Sequence, residues 1–216
     1  VDPEVVRVDL EYPMGAVLPS AQGPVLAVLA RSGRPLTGRQ IAQLTRPRVS
    51  QSRTAAVLRD LAAAGVVSAT PAGSAVLYEM NTEHLLYAPI AALVTARERL
   101  WERIVAQVAT FEHEPVAVAV FGSAARGDGH VGSDIDVLVV RPDDVDDDNL
   151  LWRHDVDELD GAIQRWTGNA VDLLSWSPRE LAEMADAGER LLDEVRADGR
   201  FLVGSRSSVP TARRPA

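Results

Sequence analysis

Cysteine is absent from the chain, which excludes disulfides and thiolate metal sites. Lysine is absent as well. All 22 basic residues are arginine, a pattern we read as compositional bias of the source genome rather than as function. Long apolar runs are missing: nothing approaches the roughly 18 consecutive apolar residues of a membrane span. The first residues lack the charged-then-apolar pattern of a secretory signal. The expectation is a cytoplasmic protein with no membrane partner. Histidine is scarce, and His84, His113 and His154 show no ligand spacing.

What remains is a chain of 216 residues, 46% hydrophobic, enough for one large domain or two small ones. Its net charge of −9 is unevenly spread. Residues 20–88 carry seven Arg against three acids, whereas residues 89–205 carry eleven Arg against 24 acids. Such asymmetry points to two modules, the first suited to a polyanion and the second to metal ions.

Periodicity divides the chain further. Residues 1–19 read as an arm or edge element, and residues 20–83 as a DNA-binding module. Residues 84–112 hold one long linking helix that would also suit a homodimer contact, with Leu85, Leu86, Ile90, Leu93, Leu100, Ile104 and Val108 on its apolar side. Residues 113–204 form an α/β domain, and the breaker-rich tail 205–216 is expected to be disordered.

Within 20–83, a helix over 24–32 ends at Gly33. Thr37 caps a second helix with Ile41 and Leu44 inward, and Ser50 caps a third over 51–64. Thr54, Val57, Leu58 and Leu61 fall near one face of the third helix. Two β-like runs, 66–70 and 75–80, flank a Pro-Ala-Gly-Ser turn. Three helices and a hairpin make a winged helix-turn-helix pattern, whose recognition helix would open with Ser50, Gln51, Ser52, Arg53 and Thr54. Those short polar donors and one Arg suit phosphates and base edges of double-stranded DNA. The bland alternative is a module for protein contacts only.

After Pro115 the pattern changes to buried strands at 116–121, 135–140 and 170–175. A helix over 149–167 separates the last two, with Leu150, Leu151, Val156, Leu159, Ile163 and Trp166 as core candidates. Two helices, 178–187 and 188–198, close the domain. The first strand runs into Gly122-Ser123, where the absence of a Cβ lets backbone N–H groups approach a phosphate. Arg126 would neutralise phosphate charge or brace an acidic cluster. Asp134 and Asp136 flank Ile135 at the next strand's start, and a spacing of two puts both carboxylates on one face. Such neighbours stay ionised together only with cations between them, and Mg²⁺ suits them. Alone, Gly-Ser is an ordinary turn and Asp-x-Asp a solvated strand end; together they form a phosphate and metal constellation.

The stretch Gly122-Ser123-Ala124-Ala125-Arg126-Gly127-Asp128, followed after four residues by Ser133-Asp134-Ile135-Asp136-Val137-Leu138-Val139, resembles the signature of the DNA polymerase-beta nucleotidyltransferase superfamily, most closely its minimal nucleotidyltransferase branch. The resemblance covers roughly residues 95–200. It implies an α/β (α+β) domain with a small mixed β-sheet flanked by helices. It also implies two Mg²⁺ ions held by Asp134, Asp136 and a third carboxylate, which Asp172 in Val171-Asp172-Leu173-Leu174 supplies. Gly122, Ser123, Arg126 and Ser133 would hold a nucleoside triphosphate such as ATP. The acceptor would be a protein or small molecule, and in the minimal branch often a small helical toxin partner. The other class of function is a DNA-binding regulator whose second domain senses nucleotide, or binds a protein, with little turnover.

Remaining features are weaker. The acidic run Asp143, Asp144, Asp146, Asp147 and Asp148 reads as a solvated loop, with a role in metal entry or charge repulsion as the alternative. His130 would face solvent or touch a phosphate. Trp101, Trp152, Trp166 and Trp176 read as core or interface residues, and Trp176 as a candidate wall of the acceptor pocket.

Overall fold

Apolar residues gather into separate clusters in the two halves of the chain. In the computed structural model, which describes residues 8–127 and 132–213, one unit comprises Tyr12–Arg97 and the other joins the residues up to Glu11 with those from Glu98 onward. No helix among the described residues is long and apolar enough to cross a membrane.

The first unit holds α1 (Gln22–Ser32), β1 (Leu36–Thr37), α2 (Gly38–Leu44), α3 (Gln51–Ala63), β2 (Val67–Ala72), β3 (Ala75–Met80) and α4 (Tyr87–Val94). Its sheet has the order β1-β3-β2, all antiparallel, which is the winged helix arrangement. Two of its helix starts have a local cause. Thr37 and Gln40 form a reciprocal capping box at α2, and the Ser50 hydroxyl accepts from the Arg53 N–H at α3. Val25, Leu29, Leu36, Ile41, Leu58 and Leu61 meet in one core. Leu44, expected inward, is 54% exposed because it sits in the last position of a seven-residue helix, past the buried Ile41.

The second unit holds α5 (Ala96–Val108), β4 (Ala117–Phe121), α6 (Gly122–Arg126), β5 (Ile135–Val140), α7 (Leu150–Thr167), β6 (Val171–Trp176), α8 (Pro178–Asp186), α9 (Arg190–Asp198) and β7 (Arg200–Val203). Its sheet runs β6-β5-β4-β7; β4 is antiparallel to β5 and β7, and β5 is parallel to β6. The fold is thus a mixed sheet with helices on both faces. Strand alternation sorts the side chains. Val118, Val120, Ile135, Val137 and Val139 pack with α5 and α7, whereas Ala119, Phe121, Leu138 and Val140 pack with α8 and α9.

Three expectations change. The linking helix is two helices, α4 and α5, broken at Thr95, whose hydroxyl bonds back to the Ala91 carbonyl at 3.0 Å and competes with the helical ladder. Leu85 is 87% exposed and lies outside both helices. In α7, Leu150 and Leu151 are exposed in the first turn, while Trp152 is buried with its indole N–H on the Ser175 hydroxyl at 3.0 Å. The Asn149 carboxamide caps that turn by accepting from the Leu151 and Trp152 N–H groups, which rotates Trp152 inward. The tail expected to be disordered is ordered through Arg213: Val209 is fully buried against α8 and α9, and the Arg213 N–H donates to the Ala185 carbonyl. The short strands β1 and β7 are additions that periodicity did not predict.

The two faces of α7 give a direct check. Ile163→Ala should cost about 2–5 kcal/mol in urea unfolding, whereas Leu150→Ala should change stability by less than about 0.5 kcal/mol. Equal losses would contradict this placement of the core.

Candidate functional site

The sheet brings the acidic residues together at one end. Parallel pairing aligns Asp136 of β5 with Asp172 of β6, and antiparallel pairing aligns Asp136 with Phe121, the last residue of β4. Asp134 lies two residues before Asp136, just ahead of the strand. Asp136 and Asp172 share the sheet face of Leu138, Val140, Leu174 and Trp176, the face covered by α8 and α9. Asp134 and Asp172 are exposed and Asp136 is half-buried.

Gly122 follows Phe121 with φ +64°, a left-handed conformation that side chains disfavour. A Cβ at this position would collide with an Asp136 carboxylate oxygen. The glycine is therefore required both by its backbone and by the carboxylate lying against it. Ser123 and Ala124 turn into α6, and Ser123, Ser133 and Asp134 line a small crevice with Val8, Leu10 and Asn169.

The electrostatics follow from this crowding. Asp136 is pushed above the ordinary carboxylate range, first by burial, then by the charges of Asp172 and Asp134, with a further push from Glu194 on α9. Arg126 opposes these effects. Its guanidinium pairs with Asp198 at 3.0 Å, tying α6 to α9. Glu194 and Asp198, one helical turn apart on α9, carried no sequence signal for the site.

Among the described residues, no three acidic or histidine side chains stand gathered as a ready metal cluster. The donor set nevertheless fits Mg²⁺: hard carboxylate oxygens from adjacent strands, mutually repelling, with Gly122 leaving room for the Asp136 carboxylate. The residues such ions would use are Asp134, Asp136 and Asp172.

Other expected residues fall elsewhere. The acidic run 143–148 follows the far end of β5. A six-residue strand spans about 20 Å, so this run does not join the site. Its loop is held by buried Arg141, which reaches the Val145 carbonyl and, at 2.9 Å, Glu180. Trp176 packs in the core under α8 and α9. Asp128 and His130 lie outside the described residues.

In the winged helix, Ser50, Gln51, Ser52 and Arg53 are exposed at the start of α3. Thr54 is fully buried, on the inward face with Val57, Leu58 and Leu61, and so drops out of any DNA-contacting set. Arg46 and Arg48, in the turn before α3, add exposed positive charge beside this row.

Comparison with known proteins bears on the second unit. Residues 100–193 match the model of the nucleotidyltransferase domain family, a span that contains Gly122, Ser123, Asp134, Asp136 and Asp172. No curated protein matches the chain. Among solved structures, a toxin–antitoxin with AMP-PNP is 22% identical, with 50% of this chain and 75% of that one covered, at a TM-score of 0.36. A tri-AMPylated HEPN toxin in complex with MNT antitoxin from Shewanella oneidensis gives 19% identity over 51% of this chain and 75% of that one, at 0.34. TrmBL2, an archaeal chromatin protein described with a novel mode of DNA binding, gives 15% identity over 86% and 78%, at 0.30. Likenesses this loose carry no functional weight. The family match, over residues 100–193, shows a nucleotidyltransferase-like domain.

Burial and repulsion at Asp136 predict a specific stability profile. Its folded-state pKa lies above the unfolded value, so the folded state binds the extra proton in that window and stability falls as pH rises through it. Asp136→Asn should therefore raise the Tm of the metal-free protein at neutral pH. The gain should vanish below the ordinary value of 3.8, where both forms are neutral. A lower Tm for the variant at pH 7 would contradict the crowding. Gly122→Ala should lose about 1–2 kcal/mol or more from left-handed strain alone, read by urea unfolding.

Proposed function

We propose that the chain is a Mg²⁺-dependent nucleotidyltransferase acting on a nucleoside triphosphate, with ATP as the substrate to test first. The observation that carries this reading is the alignment of Asp136 with Asp172 on parallel strands, with Asp134 two residues upstream and Gly122 against the Asp136 carboxylate.

In this reading Gly122, Ser123 and Ser133 receive the β- and γ-phosphates, where small residues leave the backbone accessible. Asp134, Asp136 and Asp172 hold the divalent ions, which when bound neutralise the triphosphate and lower the pKa of an attacking hydroxyl. The acceptor oxygen attacks the α-phosphorus, the bond from that phosphorus to the bridging oxygen of the β-phosphate breaks, and pyrophosphate leaves. Asp172, exposed on the edge strand β6, takes the acceptor's proton. Arg126 holds α6 to α9 and so keeps the Gly122–Ser123 turn against β5. The acceptor is a hydroxyl on a protein or small molecule.

The winged helix supports a second activity, binding of double-stranded DNA. Exposed Gln51, Ser52 and Arg53 open the recognition helix, on a module with seven Arg against three acids over residues 20–88. The attached domain would then act on, or report from, a DNA-bound protein.

Incubation with ATP, Mg²⁺ and cell lysate separates the possibilities. Label placed on the α-phosphate should be retained on an acceptor, while label on the γ-phosphate should leave with pyrophosphate. Asp134→Ala with Asp136→Ala should reduce labelling to background; unchanged labelling in that double variant rules out this site. For DNA, Arg53→Ala should weaken binding across sequences and lower the salt slope by about 1 if the arginine meets a phosphate. Undiminished affinity would remove α3 from the interface.

A further inference from the structure

Asn169 was not singled out by sequence, yet it makes the most highly connected buried polar contact beside the site. It sits between the C-terminal end of α7 and β6 and is 3% exposed. Its side-chain oxygen accepts from the Val8 N–H at 2.9 Å, and its side-chain nitrogen donates to the Val8 carbonyl at 3.0 Å. The amide thus meets the peptide of Val8 as a neighbouring strand would. The same nitrogen donates its second hydrogen to the Ser133 carbonyl at 3.1 Å. Both amide hydrogens and the oxygen are used, which is what makes burial of an asparagine tolerable.

The location matters more than the count. Ser133 precedes Asp134, and on the other side of Asp134 the Ile135 N–H donates to the Ala170 carbonyl at 2.9 Å. Asp134 is therefore held between two anchored residues, one fixed by the Asn169 side chain and the other by the backbone of the next residue, Ala170. Just upstream, Gly132 has φ +103°, a conformation open to glycine alone among common residues.

We infer that Asn169 is a positioning residue for the metal-holding carboxylates: it locks Asp134 beside Asp136 by bridging the Ser133 carbonyl to the peptide of Val8. The inference rests on the assignment of Asp134 and Asp136 as metal ligands. It makes the N-terminal segment at Val8 part of the site's support. Residues that orient ligands from behind typically change metal affinity about 10–100-fold when removed.

The test is Mn²⁺ binding to the nucleotide-free protein, read from the electron paramagnetic resonance signal of free Mn²⁺. Asn169→Ala should weaken binding about 10–100-fold. Thr167→Val is the structural control. It removes the hydroxyl that accepts from the Asn169 N–H and donates to the Ile163 carbonyl, but leaves the Asn169 side chain its partners. It should lower Tm while Mn²⁺ binding stays near wild type. Unchanged affinity in Asn169→Ala, or an equal loss in Thr167→Val, overturns the inference. If Asn169→Ala does not fold, Val8→Pro decides. It removes the N–H on the Asn169 oxygen at a residue outside the buried core, and should weaken Mn²⁺ binding in the same direction. Unaltered binding in that variant overturns the bridge. Asp134→Asn with Asp136→Asn in an otherwise wild-type chain should abolish Mn²⁺ binding. Binding retained there overturns the ligand assignment itself, a failure distinguishable from that of Asn169.

Discussion

Parallel pairing of β5 with β6 forces two carboxylates, Asp136 and Asp172, into neighbouring positions about 4.8 Å apart along the hydrogen-bonding direction. Asp134 adds a third charge, and burial raises the cost for Asp136. Much of the surrounding structure is shaped by this repulsion. Gly122 has no side chain because the Asp136 carboxylate lies where one would go. Arg126 sits close enough to offset the charge while its own position is fixed by Asp198. In the proposed function, divalent cations would balance this charge, and a triphosphate would bring them.

The supporting scaffold is built from ordinary forces. Two apolar layers cover the sheet, one under α5 and α7 and one under α8 and α9. The carboxylates lie at the ends of β5 and β6, on the sheet face of Leu138, Val140, Leu174 and Trp176. Asn169 and Arg141 show the same economy at opposite ends of β5: each is a buried polar side chain that pins a loop to the sheet by several hydrogen bonds. At the far end this pins the acidic run, and at the near end it pins the approach to Asp134.

Much of this was legible in the sequence, and the exceptions have physical causes. Strand β4 is a continuous apolar run between Pro115 and Gly122, β5 is an apolar run broken only by Asp136, and the Gly-Ser and Asp-x-Asp spacing put the candidate residues at strand ends. What could not be read was which of several apolar residues in a helical turn faces inward. Leu150 and Leu151 looked like core, but the Asn149 cap rotates Trp152 inward instead. Thr54 looked like a DNA contact by its place in the first turn of α3, but the same periodicity that buries Val57, Leu58 and Leu61 buries it. Long-range partners were invisible altogether: nothing local signals that Asn169 meets Val8, 161 residues away, that the charge of Glu194 reaches Asp136, or that Asp198 pairs with Arg126.

Diffraction from crystals grown with Mn²⁺ and a non-hydrolysable triphosphate analogue puts the central claim to its most direct test. Anomalous scattering would locate the ions without reference to the protein's chemistry. The account predicts peaks bonded to the carboxylates of Asp134, Asp136 and Asp172, with the β- and γ-phosphates beside Gly122 and Ser123. Peaks confined to the acidic run at residues 143–148, or a triphosphate bound away from Gly122, would contradict it.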